Sequence, residues 1–404
     1  MDWMDQGLIN VDWEDRINFS RMRTERLQKA KEALAASEAD VLFVFRTEDC
    51  RYLTSYRTHM HPTSMLGNAV VVLPKGGEPF LFTMDHEHCK QRMSWLPTKQ
   101  IKPRANFREA VGIKAFADMV KEELGELKGS KIGVDLWTPV MTTELAKAFP
   151  ESEFIDGLEI LGKAKIIKTE DELRCIKIAN HITEAGMDAA IRSLKPGIRE
   201  CEVLSIAWQT MTAMGSEWTQ CSNIVASGPY TAPYRRFTSD RIIRCGDLVI
   251  IDIGGCYNGY WGDFTRTWVC GDIKPTSEEI EIHQNCYNAL FNACDKSRAG
   301  NTNADVFEAA YPYVLDSLGH GSGTHPWEPP YFSPASKKSP VILEPGMQYN
   351  LEPYAGVNGV AGVRLENCLA ITDKDPDIFT TYPFDERLLK NTHPLDATTA
   401  RTRK

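Results

Sequence analysis

The chain has 404 residues, of which 42% are hydrophobic and 25% charged, and these are the proportions of a globular protein long enough for two domains. Its formal net charge of -9 argues against a nucleic acid or an anionic membrane as partner. No apolar run approaches the ~20 residues that cross a bilayer, and the acidic start MDWMDQGLINVDWEDR is unlike a signal peptide. We therefore expect a cytoplasmic protein, and the scattered cysteines, none in a CxxC pair, indicate reduced thiols.

The first predicted domain, residues 1–160, alternates helical and strand patterns. A helix is predicted from Arg21 to Ser37, and buried strands are predicted at 41–45, 69–74, 79–83 and 131–135. Strands separated by helices are typical of an α/β domain with a partly parallel sheet.

Two histidine pairs in this domain resemble metal-ligand patterns, namely His59/His61 and His86/His88. Alternating spacing would put each pair on one face of a strand. Neither pair has a second pair or a cysteine set that would complete a site. We therefore interpret both as structural or surface residues.

The second predicted domain covers residues 161–390. Thr169 followed by Glu172 forms a capping box, which predicts the start of a helix that ends at Lys195-Pro196-Gly197. A second helix is predicted over 198–214.

Further along, Thr276 and Glu279 repeat the capping pattern and predict a third helix. The segments KPGIRECEVLSIAWQTM and RAGNTNADVFEAAYPYV share a turn glycine, an acid and an amphipathic helix in the same order, which indicates two related half-units. The polar residues 391–404 predict a flexible tail.

A hairpin is predicted around Asn258-Gly259, a strong signal for a two-residue type I′ turn between strand-like runs. In that register Gly254 faces Asp263, and Asp252 lies two residues along on the same face. The two carboxylates are then diagonal neighbours, roughly 5.5 to 8 Å apart at the backbone. Like charges so close on one face repel unless a cation lies between them, so the pattern favours a metal site over two exposed acids.

Glu352 and Glu366 lie on two further strand-like runs. A two-residue turn at Asn358-Gly359 would place them on opposite faces, so we predict a longer loop or a bulge that restores a common face. His320 has glycines on both sides, where the backbone can bend and bring one imidazole to a metal.

Five residues in apolar segments therefore predict one ligand set, because buried carboxylates need cations. The set consists of Asp252, Asp263, His320, Glu352 and Glu366. Oxygen-rich ligation with one histidine suits two divalent ions of Mn, Co, Zn or Fe, and the sequence does not choose among them.

The order of these motifs resembles a known superfamily. The motifs are IKTEDE, LKPG, ASGP, GDLVIIDIGGCYNGYWGDFTRTW, GHGSG, LEPGMQYNLEP and GVRLEN. They are similar to those of the pita-bread-fold enzymes aminopeptidase P, prolidase, methionine aminopeptidase and creatinase. The resemblance implies an α/β creatinase-like N-terminal domain, an α+β pita-bread domain with a curved antiparallel sheet, a dinuclear site made by the five ligands, and a homodimer.

The chain departs from the proline-directed members at two positions. They carry a histidine where this chain has Tyr234 in TAPYRRF, and another where it has Trp327 in GHGSGTHPWEPP. His325 could substitute through a shifted loop, although Pro326 limits adjustment. Creatinase lacks a metal site, whereas this chain keeps all five ligands. The resemblance extends to dimethylsulfoniopropionate lyase, which retains metals without the peptidase histidines.

The resemblance also implies roles for single residues. Glu352 would both bind metal and pass a proton to the leaving nitrogen. Arg364 could hold a substrate carboxylate or form a salt bridge to a ligand acid. Tyr234 and Trp327 would favour a cationic or methylated group on a small substrate, whereas we interpret Trp261 as core packing. A partner subunit could supply further substrate contacts, and the candidates are Arg57, His59 and His61.

Three functions remain open at this stage. The first is a metal-dependent hydrolase that cleaves an amide or amidine C–N bond in a small substrate, with Xaa-Pro dipeptides as the default. The second is a C–S lyase acting on a small zwitterion. The third is a catalytically retired binding protein, against which the retention of all five buried ligands argues.

Overall fold

The computed structural model describes residues 16–57, 69–219 and 223–398, which divide into two compact units. The N-terminal unit is Asn18–Lys165, and the C-terminal unit runs from Ile166 onward and includes Ile17. The division falls at the end of a helix that spans Gly157–Lys165, rather than inside it at residue 160 as the predicted boundary would place it.

The N-terminal unit is built around one six-stranded sheet of order β4-β3-β2-β1-β5-β6. Its strands are β1 (Val41–Val44), β2 (Ala69–Pro74), β3 (Phe80–Thr83), β4 (Ile101–Pro103), β5 (Lys131–Val134) and β6 (Glu153–Asp156). Strand β1 pairs antiparallel with β2 and parallel with β5, so the prediction of a partly parallel sheet is confirmed.

Helices cover both faces of this sheet. They are α1 (Phe19–Ala35), α2 (Thr47–Thr54), α3 (His86–Arg92), α4 (Ala110–Leu124), α5 (Pro139–Ala148) and α6 (Gly157–Lys165). Because side chains alternate along a strand, Leu42 packs with residues of α1, α2 and α6, while Phe43 packs with residues of α4 and α5. Burial on both faces explains the nearly continuous apolar strands.

The strand expected for His86 and His88 is wrong. Both residues lie on helix α3, where a spacing of two does not put side chains on one face. Glu87 in the first turn and Lys90 in the last suit the helix dipole, and Cys89 is the residue that α3 buries.

The C-terminal unit is α+β. Its helices are α7 (Glu170–Ser193), α8 (Glu200–Ala213), α9 (Ser277–Lys296) and α10 (Asn303–Ala310). Its strands are β7 (Ile224–Ser227), β8 (Leu248–Ile253), β9 (Cys256–Tyr257), β10 (Tyr260–Trp261), β11 (Phe264–Val269), β12 (Gly319–Gly321), β13 (Glu328–Phe332), β14 (Gln348–Leu351), β15 (Tyr354–Val357), β16 (Ala361–Arg364), β17 (Asn367–Ala370) and β18 (Asp377–Ile378).

All ladders between these C-terminal strands are antiparallel. The strands form a β11-β8-β7 sheet, a β13-β12-β14-β17-β18 sheet and two short hairpins, β9–β10 and β15–β16. The antiparallel arrangement agrees with the predicted α+β domain, and the apolar faces of α9 and α10 pack against these strands. Within the described ranges, no helix has both the length and the apolar character that a bilayer crossing requires.

The predicted capping boxes are confirmed. The Thr169 side chain accepts a hydrogen bond from the main-chain N of Glu172 at the start of α7. The Thr276 side chain accepts one from the main-chain N of Glu279 at the start of α9. The predicted tail is wrong in its first part, because the backbone of Asn391 and the buried Asp396 bond to side chains of α9. Residues 399–404 lie outside the described part of the chain.

Thr276→Ala should lower the free energy of unfolding by about 1 kcal/mol, because the first turn of α9 loses its side-chain acceptor. Urea denaturation measures the loss. Ser277→Ala, at the next position and also exposed, is the matched control. Equal losses in the two variants would contradict a capping role.

Candidate metal centre

The first pair of acids lies on the hairpin β8–β11 in the predicted register. Asp252 pairs with Thr265, so Asp263 lies diagonally from Asp252 on the same face. The turn residues Asn258 and Gly259 have φ of 51° and 81°. Two positive φ values define the predicted type I′ turn, which is confirmed.

The second pair lies where β14 continues into β15 and β16 into β17. Tyr354 pairs with Arg364 and Val357 with Ala361, which leaves three residues, 358–360, in the loop. The predicted longer loop is therefore confirmed, and this register brings Glu352 and Glu366 to a common face.

His320 lies between two glycines on β12, and both glycines are required by close backbone contacts. A Cβ at Gly319 would lie 2.0 Å from Asn350 O, and one at Gly321 would lie 2.4 Å from Pro329 O. Neighbouring strands therefore pack tightly around the histidine and fix its position.

The imidazole points its Nε2 at the acids. Nε2 lies 4.0 Å from Asp263 Oδ2 and 4.0 Å from Glu352 Oε1. Nδ1 lies 3.0 Å from Gly321 O, and because a carbonyl only accepts, Nδ1 donates and Nε2 keeps its lone pair. Burial lowers the pKa of His320 to about 4, so the ring is neutral, as the predicted metal ligand must be.

The donor set fits divalent cations. Ligand atoms of Asp263, His320 and Glu366 lie within 4.8 Å of one another, and all three residues are buried. Burial is the main cause that raises the pKa of Glu366 to about 8, and the charge of Asp252 is the second. Glu366 Oε1 has no hydrogen-bond partner among the described residues, while Oε2 accepts from Thr265 at 2.8 Å. Such a cluster of buried acids is stabilised by positive charge at its centre.

Arg364 supplies positive charge beside the cluster. The residue is 4% exposed, its guanidinium pairs with Glu352 Oε2, and its Nε lies 3.7 Å from Asp252 Oδ2. These contacts agree with a salt bridge from Arg364 to two of the predicted ligand acids. A grip on a substrate carboxylate stays a prediction for this residue.

Tyr234 is buried beside the same cluster. Its hydroxyl donates to Asp252 Oδ2 at 3.1 Å, and its ring stacks on Tyr354 with centroids 5.9 Å apart. Burial raises the pKa of Tyr234 well above its usual value, and the charge of Asp252 adds to that rise. The phenol therefore stays protonated and donates. The residue thus contacts a predicted metal ligand directly.

Trp327 and His325 lie on the loop after His320. The Trp327 ring meets the His320 ring edge-on at 6.0 Å and is 38% exposed. His325 Nδ1 lies within 3.0 Å of the main-chain N and O of Trp327, which fixes its ring to that backbone. Trp261 is 4% exposed, as its interpretation as core packing requires.

A buried ion pair that the sequence interpretation missed holds this loop. Lys168 Nζ lies 2.8 Å from Glu328 Oε2, and both side chains are buried. Glu328 also accepts from His325 N at 3.0 Å and from the Thr324 hydroxyl at 3.3 Å. The sequence signal for this pair was Glu328 itself, an acid that stands between Trp327 and two prolines.

The remaining predicted contacts lie in the N-terminal unit. Arg57 is exposed there, and His59 and His61 lie outside the described residues. Their roles as substrate contacts stay predictions.

The fold and this donor set define a two-domain metallohydrolase. The model described as metallopeptidase family M24 matches residues 174–373, and the creatinase/prolidase N-terminal domain matches residues 26–166. The chain belongs to the pita-bread metallopeptidase superfamily, whose metallopeptidases use divalent metals.

Among its relatives is the Xaa-Pro dipeptidase of Pyrococcus furiosus, 28% identical over 86% of this chain and 95% of the relative. The crystal structure of the Pyrococcus horikoshii prolidase is similar with a TM-score of 0.75 at 25% identity, covering 89% of this chain and 99% of the other. An Xaa-Pro dipeptidase from Bacillus anthracis shares the fold, with a TM-score of 0.76 at 24% identity over 90% of this chain and 99% of the other.

Tyr234→Phe should weaken metal binding by roughly 10- to 100-fold, because it removes the hydrogen bond to a ligand and keeps the ring stack. A metal titration followed by calorimetry measures the change. Tyr354→Phe is the matched control, since its hydroxyl donates to Thr231 O and not to a ligand. Unchanged affinity in Tyr234→Phe would contradict the role.

Proposed function

We propose that this protein is a dinuclear-metal hydrolase that cleaves a C–N bond in a small substrate, with Xaa-Pro dipeptides as its default class and an altered substrate pocket. The proposal is supported by five buried side chains, Asp252, Asp263, His320, Glu352 and Glu366, which come from two hairpins and one glycine-flanked strand. Ligand atoms of Asp263, His320 and Glu366 lie within 4.8 Å of one another, and Glu352 lies 4.0 Å from His320. Relatives named Xaa-Pro dipeptidase and prolidase support the substrate class.

The five residues Asp252, Asp263, His320, Glu352 and Glu366 would hold two divalent ions. When bound, such ions supply an activated water and polarise the carbonyl under attack. Their identity among Mn, Co, Zn and Fe is part of the test.

Two of this chain's own side chains would manage protons and charge. Glu352 lies between Arg364 and His320, at the edge of the cluster, where its carboxylate can receive a proton and deliver it to the leaving nitrogen. Arg364 keeps Glu352 oriented through their ion pair.

The altered pocket is proposed from two aromatic rings. Tyr234 and Trp327 stand where the proline-directed members carry histidines, and both lie against ligands of the cluster. The Trp327 ring is 38% exposed and can attract a cationic group by ~0.5 to 2 kcal/mol. The buried Tyr234 ring already contacts the Tyr354 ring and the guanidinium groups of Arg364 and Arg235, so it adds shape rather than a free face. The pocket therefore favours a small zwitterion or a dipeptide with a charged amino end.

The test is incubation of protein loaded with Mn²⁺, Co²⁺ or Zn²⁺ with a panel of Xaa-Pro and Xaa-Xaa dipeptides and with dimethylsulfoniopropionate, followed by mass spectrometry. Hydrolysis adds water to the products, and we expect it with at least one dipeptide. Elimination from the sulfonium acid alone would replace the proposal with the lyase. Less than one metal equivalent bound, with no thermal stabilisation by added metal, would overturn both.

The resemblance also implies assembly, and we propose a homodimer. Sedimentation velocity of the full chain measures it, and a monomer at micromolar concentration would contradict it.

A further inference from the structure

Arg235 has a backbone conformation that arginine rarely adopts. Its φ is 108°, the largest positive φ of any non-glycine residue in the described ranges. A side chain with a Cβ is strained there, and such strain persists where the surroundings or a function require that residue. Glycine would adopt the same conformation without that strain.

The strained residue follows Tyr234 directly, and its side chain is about half exposed. Its guanidinium carbon is 6.0 Å from the centre of the Tyr234 ring, whose hydroxyl bonds to Asp252. The positive charge of Arg235 therefore lies beside a side chain that bonds to a predicted metal ligand.

The contacts of Arg235 are weak, unlike those of the next residue. Its ion pair with Asp316 is 3.6 Å long, and the two side chains are 48% and 94% exposed. Arg236 instead makes two 2.6 Å bonds to the buried Glu200. An exposed pair contributes little free energy, so a substrate anion can displace Asp316 at small cost.

We propose that Arg235 binds the free carboxylate of the substrate while the scissile bond lies at the metal ligands. The proposal rests on the proposed function and narrows it to substrates with an unblocked carboxyl end, such as dipeptides. Arg364, the first candidate for this contact, is buried and paired with Glu352. Arg235 is exposed, and its planar fork suits two parallel bonds to a carboxylate.

Arg235→Gly tests the proposal with two readouts on the metal-loaded full chain. For a dipeptide, KM should rise roughly 10- to 100-fold, because hydrogen bonds between charged groups are lost. For the C-terminal amide of the same dipeptide, KM should stay unchanged. The thermal midpoint should stay equal or rise, because glycine relieves the strain. A residue with only a structural role would lower the midpoint and affect both substrates alike.

Two further variants complete the test. Arg235→Lys should recover part of the preference for the free carboxylate, because the charge remains without the fork. Asp316→Asn removes the weak ion pair alone and should leave KM unchanged. The proposal is overturned if the ratio of the two KM values is the same in Arg235→Gly and wild type, or if Asp316→Asn reproduces the loss.

A binding measurement separates this proposal from the proposed function. If metal-loaded wild type hydrolyses no peptide, the proposed function fails, and calorimetry with L-proline and L-prolinamide decides the role of Arg235. Preferential binding of L-proline that Arg235→Gly abolishes supports the carboxylate contact. Equal binding of both molecules by wild type overturns it.

Discussion

Asp263→Asn should remove metal binding and activity together. Bound metal should fall from about two equivalents to one or fewer, and kcat/KM should fall by roughly 10³-fold, the equivalent of several kcal/mol of lost electrostatic stabilisation. Asp263 is 4% exposed and lies with His320 and Glu366 in the closest part of the cluster. Elemental analysis and steady-state kinetics measure the two losses.

The same substitution should stabilise the metal-free protein, because it removes one of several like charges from a buried site. Added metal should then raise the thermal midpoint of wild type far more than that of the variant, since only wild type binds it tightly. Glu281→Gln, an exposed acid on α9, is the control and should behave as wild type. A fully metallated, active Asp263→Asn would refute the ligand assignment.

Arg364→Met should lower the free energy of unfolding of the metal-free protein by about 3–5 kcal/mol. The reason is that methionine fills much of the same space but leaves Glu352 and Asp252 buried without their positive neighbour. Urea denaturation with and without saturating Mn²⁺ measures the effect. Metal should close most of the gap, because it supplies the missing positive charge.

Metal content and turnover should separate in this variant. Two equivalents should still bind, since Arg364 competes with cations for the same carboxylates, while kcat falls because Glu352 loses its orienting partner. Arg298→Met, which breaks exposed ion pairs to Asp295 and Asp375, is the control and should cost less than about 1 kcal/mol. Equal destabilisation of the two variants would contradict the account.

The parts of the site that local rules govern could be predicted from the sequence. Asn258-Gly259 favours one turn type, and that turn fixes which residues share a face along the whole hairpin. Glu352 and Glu366 must face the same side to share a metal site. The sequence therefore predicted a loop of more than two residues between their strands, and the loop has three. Each inference used residues that lie close together in the chain.

Parts that depend on distant residues could not be predicted. Glu328 pairs with Lys168, which lies 160 residues earlier in the chain, and no local sequence pattern links the two. Residues 391–398 have the polar composition of a tail, and the bonds of Asn391 and Asp396 to α9, a helix about 100 residues earlier, give no local signal. The conformation of Arg235 was missed for a different reason. Arginine rarely adopts a positive φ, so the residue type at this position indicates a different backbone conformation.

The three-residue loop 358–360 has a consequence for how the chain can vary. Deleting Val360 would leave Asn358-Gly359 as a favourable two-residue turn, so the hairpin could still close. One of the two glutamates would then face away from the other, and the metal site would be lost from a folded protein. Turn length is usually free to change during evolution, but here one residue more or less determines whether the enzyme has a reaction centre.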